Sequence, residues 1–236
     1  MKDIKKPLII AISGKKQSGK STLCDYLKGK EADIEIFSFA DSLKQKVCVD
    51  ILGLTYNQVF GTDEDKNSLT RYTWDKLPKF IREAYSTKIN DIPIAWSESG
   101  KTFQYESYTE PRTGQMTARE IMQIVGTDIF RNMFDDSVWV DSTIRDIKAS
   151  NCTIALIADC RFPSEVNIVL EQGGSVIRLT RSIDNKDLHP SETALDDYPF
   201  DTTEGCFVIN NHNKSIEWKN EQVKLLMESL RKIRNV

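Results

Sequence analysis

Between Gly14 and Ser21 the chain reads Gly-Lys-Lys-Gln-Ser-Gly-Lys-Ser, which satisfies the spacing GxxxxGK(S/T) at every fixed position. Glycines at both ends of the run allow backbone turns that larger residues resist, so successive N–H groups can converge on one concavity. Such a concavity holds an anion, and the positive end of a following helix strengthens the attraction. The chemistry indicated is binding of a nucleotide triphosphate, with Lys20 bridging the β and γ oxygens and the Ser21 hydroxyl ligating Mg²⁺. Gly14, Lys15, Ser18, Gly19, Lys20, Ser21 and Thr22 are the candidate ATP-binding residues, Thr22 on the α-phosphate. Lys15 and Lys16 read as loop charges, either of which could screen the triphosphate.

A phosphate loop alone does not choose between kinase, GTPase and motor ATPase. The sequence has no NKxD tetrapeptide for guanine, and no long apolar strand ends in Asp-Glu. Instead an apolar run ends in Asp159-Cys160-Arg161, an acid and a base where an open α/β sheet places its ligands. A strand-end cap and a surface ion pair are the structural alternative for those two. Arg178 and Arg181 follow on the next apolar run, and Arg181 opens a polar loop from which an arginine could close over phosphates. In that loop His189-Pro190-Ser191-Glu192, read from residues alone, is a surface turn with a histidine at its tip. Lys20, Asp159, Arg161 and Arg181 are the candidate catalytic residues.

These groups need strands and helices to hold them. Residues 7–12 form a continuous apolar run, as in a strand buried on both faces of a parallel sheet. A helix is expected from Gly19 to Gly29, a strand over 34–39, and a helix over 42–52 with Asp41 as N-cap. Residues 53–116 break this rhythm and read as an insertion, helical around 76–86 and hairpin-like around 94–108. A helix over 117–134 opens on Thr117 and Glu120 in capping-box spacing. Further helices are expected over 137–150, 164–172 and 217–233, with strands over 152–158, 175–180 and 207–209. The pattern predicts a single α/β domain over 1–236. About five parallel strands carry helices on both faces, with the 53–116 insertion and a lid loop over 182–203.

Charged residues make up 28% of the 236 residues but nearly cancel, to a formal net charge of -3, so no global basic field draws in nucleic acid. The five cysteines are scattered without CxxC pairs or zinc spacing, as expected for reduced intracellular thiols. The basic start and short apolar run lead into the glycine loop instead of a cleavage site. They imply a first strand in a cytosolic protein, without a signal peptide or membrane span.

Taken together, the segments 14–22, Ser38-Phe-Ala-Asp-Ser-Leu-Lys44, Met122-Gln-Ile-Val-Gly-Thr-Asp128, Trp139, Asp159-Cys-Arg161 and His189-Pro-Ser-Glu192 resemble the bacteriophage deoxynucleoside monophosphate kinases, P-loop proteins of the NTPase fold. The order is the family's and spans nearly the whole chain, with weak likeness over 53–116. The resemblance implies transfer of the ATP γ-phosphate to a deoxynucleoside 5′-monophosphate, in host cytoplasm if the protein is viral. The attacking group is then already an oxygen anion, so no Asp or His base is needed, and several Lys and Arg around Mg²⁺ suffice to position the groups and cancel charge. It also implies that Lys44 and Arg119 hold the acceptor phosphate and that Gly126, Thr127, Asp128 and Trp139 form the base and sugar pocket. Arg71, Arg131, Asp159, Arg161, His189 and Glu192 complete the candidate acceptor residues. One member of the family has Asp after the loop lysine where this chain has Ser21, so metal coordination here should be closer to that of ordinary P-loop enzymes. Gly126 inside a helical pattern costs about 1 kcal/mol relative to Ala and signals close approach by another group. A tryptophan such as Trp139 is more often a core residue than a stacking platform.

Two other readings stay open. One is a P-loop kinase of another small phosphorylated metabolite, of the dephospho-coenzyme A or phosphomevalonate kind. The other is an ATPase module dependent on DNA or a partner protein. The expected partners are otherwise a nucleoside monophosphate, with no direct nucleic-acid or membrane contact, and the sequence leaves room for a homodimer.

Overall fold

In the computed structural model, residues 6–30, 33–86, 89–96, 103–181 and 193–234 are described. Packing divides the chain into two compact units, Met1–Lys46 with Gly126–Val236, and Val47–Val125.

The first unit is built on five strands: β1 (Leu8–Ser13), β2 (Ile34–Phe37), β7 (Ile154–Cys160), β8 (Ser175–Leu179) and β9 (Cys206–Ile209). They form one sheet in the order β2-β7-β1-β8-β9, with every pairing parallel. Every residue of β1 is buried. Its alternate side chains feed two different cores, which is why its apolar run is continuous. Leu8, Ile10 and Ile12 pack with Leu23 and Leu27 of the helix Lys20–Lys30 and with Val223 and Met227 of the helix Ile216–Arg234. On the opposite face Ile9 and Ala11 pack with Val140, Ile144 and Ile147 of the helix Val138–Ala149 and with Val166 and Val169 of the helix Pro163–Glu171. The α/β fold with a doubly covered parallel sheet is therefore the one expected.

The second unit holds two antiparallel ribbons. The strands β3 (Leu69–Thr73) and β6 (Gln115–Thr117) pair with each other, as do β4 (Ile89–Trp96) and β5 (Phe103–Thr109). The hairpin expected over 94–108 starts earlier, at Ile89. The helix expected over 76–86 is a single turn, Trp74–Lys76, followed by Lys79–Ala84. The Leu-Pro pair at 77–78 breaks it, because proline disfavours helical geometry in the residue before it. The short helices Tyr56–Phe60 and Asp63–Lys66 each open on a threonine capping box, at Thr55 and Thr62.

Both crossings between units fall inside helices wound with π-type hydrogen bonds, Ser42–Ile51 and Ile124–Phe134. The expected helix over 117–134 is thus two: Ala118–Gln123, with Thr117 and Glu120 capping each other as predicted, and the wider turn that continues it. Asp41 is not an N-cap of the first of these helices. Its carboxylate turns back to accept the Ser38 N–H at 2.9 Å.

Candidate active site

The glycine loop leaves the carboxyl end of β1 and enters the helix Lys20–Lys30. Gly19 has φ +92° and Gln17, at the loop tip, φ 62°, left-handed conformations that fold the loop back on itself. Gly14 is equally required: a Cβ there would lie 2.5 Å from Ser18 Oγ and 2.9 Å from the Leu179 carbonyl. The Ser18 hydroxyl is buried without a hydrogen-bond partner. Lys20 Nζ donates to the carbonyls of Gly14 and, at 2.8 Å, Lys15, so its charge lies along the loop. Ser21 and Thr22 are exposed at the helix N-terminus. A left-handed loop, a buried hydroxyl in need of a partner, a cation on the rim and exposed hydroxyls at a helix start fit a polyphosphate with a hard cation.

The neighbouring strand ends surround this loop. Register pairs Ser13 with Cys160 on β7 and with Arg178 on β8. Asp159 accepts the Ser38 hydroxyl at 2.6 Å and the N–H groups of Phe39 and Ala40 at 2.8 and 3.2 Å. Its carboxylate therefore fixes the turn after β2, which leads to Lys44. Arg178 donates to Ser13 Oγ at 2.9 Å and faces Asp196, which also pairs with Lys15 at 2.8 Å. Lys15 is thus held by a carboxylate beside the loop. The Arg161 N–H donates to Glu165 at 2.6 Å.

Glu165 was not foreseen. It is 2% exposed, caps the helix Pro163–Glu171 through the Arg161 and Phe162 N–H groups, and pairs with Arg131 at 2.5 Å. Arg131 also lies over the Phe162 ring, 4.2 Å from its centre. Burial raises the Glu165 carboxyl above the ordinary range, against the opposing pull of Arg131 and with a further rise from Asp159. Of the other acceptor candidates, Thr127 and Asp128 are half-buried in the π-type turn, as is Lys44 in Ser42–Ile51. The group that approaches Gly126 is the Leu43 side chain: a Cβ would lie 2.5 Å from its Cδ2. Trp139 is 5% exposed, packs on Phe130 and donates its Nε1–H to the Gly126 carbonyl at 2.9 Å. Its indole reaches the turn through that carbonyl and presents no open stacking face, in contrast to its expected place in the base pocket.

Arg71 and Arg119 belong to the second unit. Arg71 donates to the Leu52 carbonyl and the Tyr72 hydroxyl, and Arg119 pairs with Asp63 at 2.7 Å and Asn67 at 2.9 Å. His189, Glu192 and the span 182–192 of the expected lid lie outside the described residues.

A cleft of about 270 Å³ opens beside the glycine loop, lined by Gln17, Thr22, Arg181, Asn211, Lys214 and Ile216 among others. The exposed Arg181 stands on its wall, and its N–H donates to Asn211 Oδ1 at 2.8 Å. The loop after β9 was missed as a site element. Its Asn-Asn-His-Asn run resembles any polar turn, and only the sheet order brings it to the glycine loop.

A parallel sheet with a phosphate loop on its central strand, flanked by the acid and arginines of the adjacent strand ends, defines a P-loop phosphotransferase. The model of the deoxynucleotide monophosphate kinases matches residues 8–221. The chain belongs to that family. It is 28% identical over 206 residues to a protein of Acanthamoeba polyphaga mimivirus provisionally named a deoxynucleotide monophosphate kinase, covering 80% of this chain and 82% of that one. It is 26% identical to the deoxynucleotide monophosphate kinase of Escherichia phage RB69, over 92% of this chain and 99% of the relative. The corresponding protein of Enterobacteria phage T4 is 23% identical over 79% and 87%. Among the described residues no helix is long and apolar enough to cross a membrane.

Proposed function

We propose that the enzyme transfers the γ-phosphate of ATP, with Mg²⁺, to a deoxynucleoside 5′-monophosphate, and that the glycine loop and the β7 and β8 strand ends form the donor half of the site. The observation that carries this reading is the loop itself, whose left-handed turns at Gln17 and Gly19 sit at the head of a helix bearing Lys20, Ser21 and Thr22.

The backbone N–H groups from Gly14 to Ser21 would hold the β-phosphate, and Lys20 would turn from the Gly14 and Lys15 carbonyls to the β and γ oxygens. Ser21 would ligate Mg²⁺, which when bound neutralises charge on the transferring group. Arg161 and Arg181 supply further positive charge, while Asp159 fixes the turn that presents the helix of Lys44. Lys44, Thr127 and Asp128 are proposed to meet the acceptor, with Gly126 and Trp139 shaping the turn that carries the latter two. The acceptor phosphate is already an anion at neutral pH, so these residues need only align it and cancel repulsion.

The test is to supply purified protein with ATP, Mg²⁺ and a panel of deoxy- and ribonucleoside monophosphates and to resolve the products. Diphosphate formation from one or more deoxynucleotides is expected. Absence of turnover with every member of the panel, or ATP hydrolysis stimulated by DNA instead, would overturn the proposal.

A further inference from the structure

Two buried polar side chains from the end of the chain grip the glycine loop from behind. Lys219, on the first turn of the helix Ile216–Arg234, is 2% exposed and donates through Nζ to the Gly19 carbonyl at 2.8 Å. Asn211, also 2% exposed, donates through Nδ2 to the Ser18 carbonyl at 3.0 Å, while its Oδ1 accepts the Arg181 N–H. Both are unusual investments. Burying an ammonium is costly unless it meets an acceptor, and burial holds the Lys219 ammonium below the usual lysine range. The contact with the loop is close: a Cβ on Gly19 would lie 2.6 Å from Lys219 Nζ.

The peptide group explains what this grip does. A trans peptide is planar, with its C=O and N–H pointing in opposite directions. Holding the Ser18 carbonyl toward Asn211 therefore aims the Gly19 N–H the other way, and holding the Gly19 carbonyl toward Lys219 aims the Lys20 N–H likewise. Those two amides belong to the part of the loop that converges on phosphate. Left to itself, a loop with two glycines samples many conformations, and ordering it on binding would weaken affinity.

From this geometry we infer that Lys219 and Asn211 are positioning residues of the donor site, which pre-set the Gly19 and Lys20 amides for the β-phosphate by holding the Ser18 and Gly19 carbonyls outward. Neither residue transfers or receives a group. Asn211 also ties the base of Arg181 to the same loop, so one side chain sets both the amides and the root of the arginine.

The inference rests on the glycine loop being the ATP site, and the experiment separates the two. Equilibrium dissociation constants for MgATP, ADP and the accepted deoxynucleotide are measured on the native enzyme and on Lys219→Met, which keeps the apolar stem and removes the ammonium. Loss of a hydrogen bond to a charged group predicts roughly 10- to 100-fold weaker binding of MgATP and of ADP, which shares the β-phosphate. The acceptor constant should stay within about twofold, since general loosening of the fold would weaken both nucleotides. If Lys219→Met does not fold, Asn211→Ala carries the same test with the lysine intact. A native enzyme that fails to bind MgATP sinks the reading of the loop. A native enzyme that binds it, with a variant that binds it equally well or loses both nucleotides in parallel, overturns the positioning role alone.

Discussion

The indole of Trp139 is hydrogen-bonded to the carbonyl of Gly126, 2.9 Å away, so a buried aromatic residue is tied to the turn that carries Thr127 and Asp128. Phenylalanine keeps the ring against Phe130 but cannot donate. Trp139→Phe should cost about 1–2 kcal/mol of stability in denaturant unfolding, through the lost hydrogen bond and a small void. If the turn meets the acceptor, acceptor KM should rise while the KM for ATP holds. A rise confined to ATP would show that the turn serves the donor instead.

Gly126 is defined by Leu43. An added methyl would gain about 1 kcal/mol of helix propensity but would overlap the leucine, and overpacking costs about 1–3 kcal/mol. Gly126→Ala should therefore be neutral to destabilising on its own and stabilising in a Leu43→Ala background. A double-mutant cycle by thermal unfolding reads the coupling directly. Additive effects would mean that the two residues do not compete for the same space.

Lys20 and Lys44 are separable by kinetics. If Lys20 takes the proposed place on the β and γ oxygens, its removal takes away charge stabilisation of the transferring phosphate, and Lys20→Ala should lower kcat by roughly 10²–10³-fold. Lys44→Ala should raise acceptor KM about tenfold with kcat changed only a few-fold, as expected of ground-state binding. An unchanged acceptor KM would remove Lys44 from the site.

The sheet and the glycine loop were legible because each follows from a local rule. The β1 run is apolar at every position because both of its faces are covered, and the loop has fixed spacing. The Thr117–Glu120 cap was legible for the same reason. What escaped depends on distant pairing. Glu165 looks like an ordinary first-turn acid until Arg131 is folded against it. Lys219 did leave a trace, since it shares the i, i+4, i+8 row of Val223 and Met227 and so occupies the buried face of its helix. A glycine in a helical run signals close approach at Gly126, but only packing identifies the neighbour as Leu43.

Cys24 lies in the helix of the glycine loop, and burial, with a smaller push from Asp25, raises its thiol to about 12. The unfolded thiol titrates near its ordinary value of 9.0. This burial contribution is therefore fully present below that pH and is lost as pH rises toward the folded value, by about 1.4 kcal/mol per pH unit at most. Denaturant midpoints of native protein and Cys24→Ala, compared between pH 8 and 10.5, should diverge least at the high end. At pH 8 a thiol reagent should modify the half-buried Cys206 before Cys24 or the fully buried Cys160. Early labelling of Cys24 would contradict its burial.

The Arg131–Glu165 pair offers the sharpest stability test, because both charges are largely out of water, at 13% and 2% side-chain exposure. Glu165→Gln retains an acceptor for the Arg161 and Phe162 amides but strands the guanidinium over the Phe162 ring. Leaving one partner of a buried pair unpaired costs about 3–5 kcal/mol, and most of that loss should be seen in unfolding at neutral pH. Replacing both partners, as Arg131→Met with Glu165→Gln, should recover part of the loss, since no buried charge is then left alone. A double variant no more stable than Glu165→Gln would mean that the guanidinium stabilises the fold by its packing on Phe162 and not through its charge.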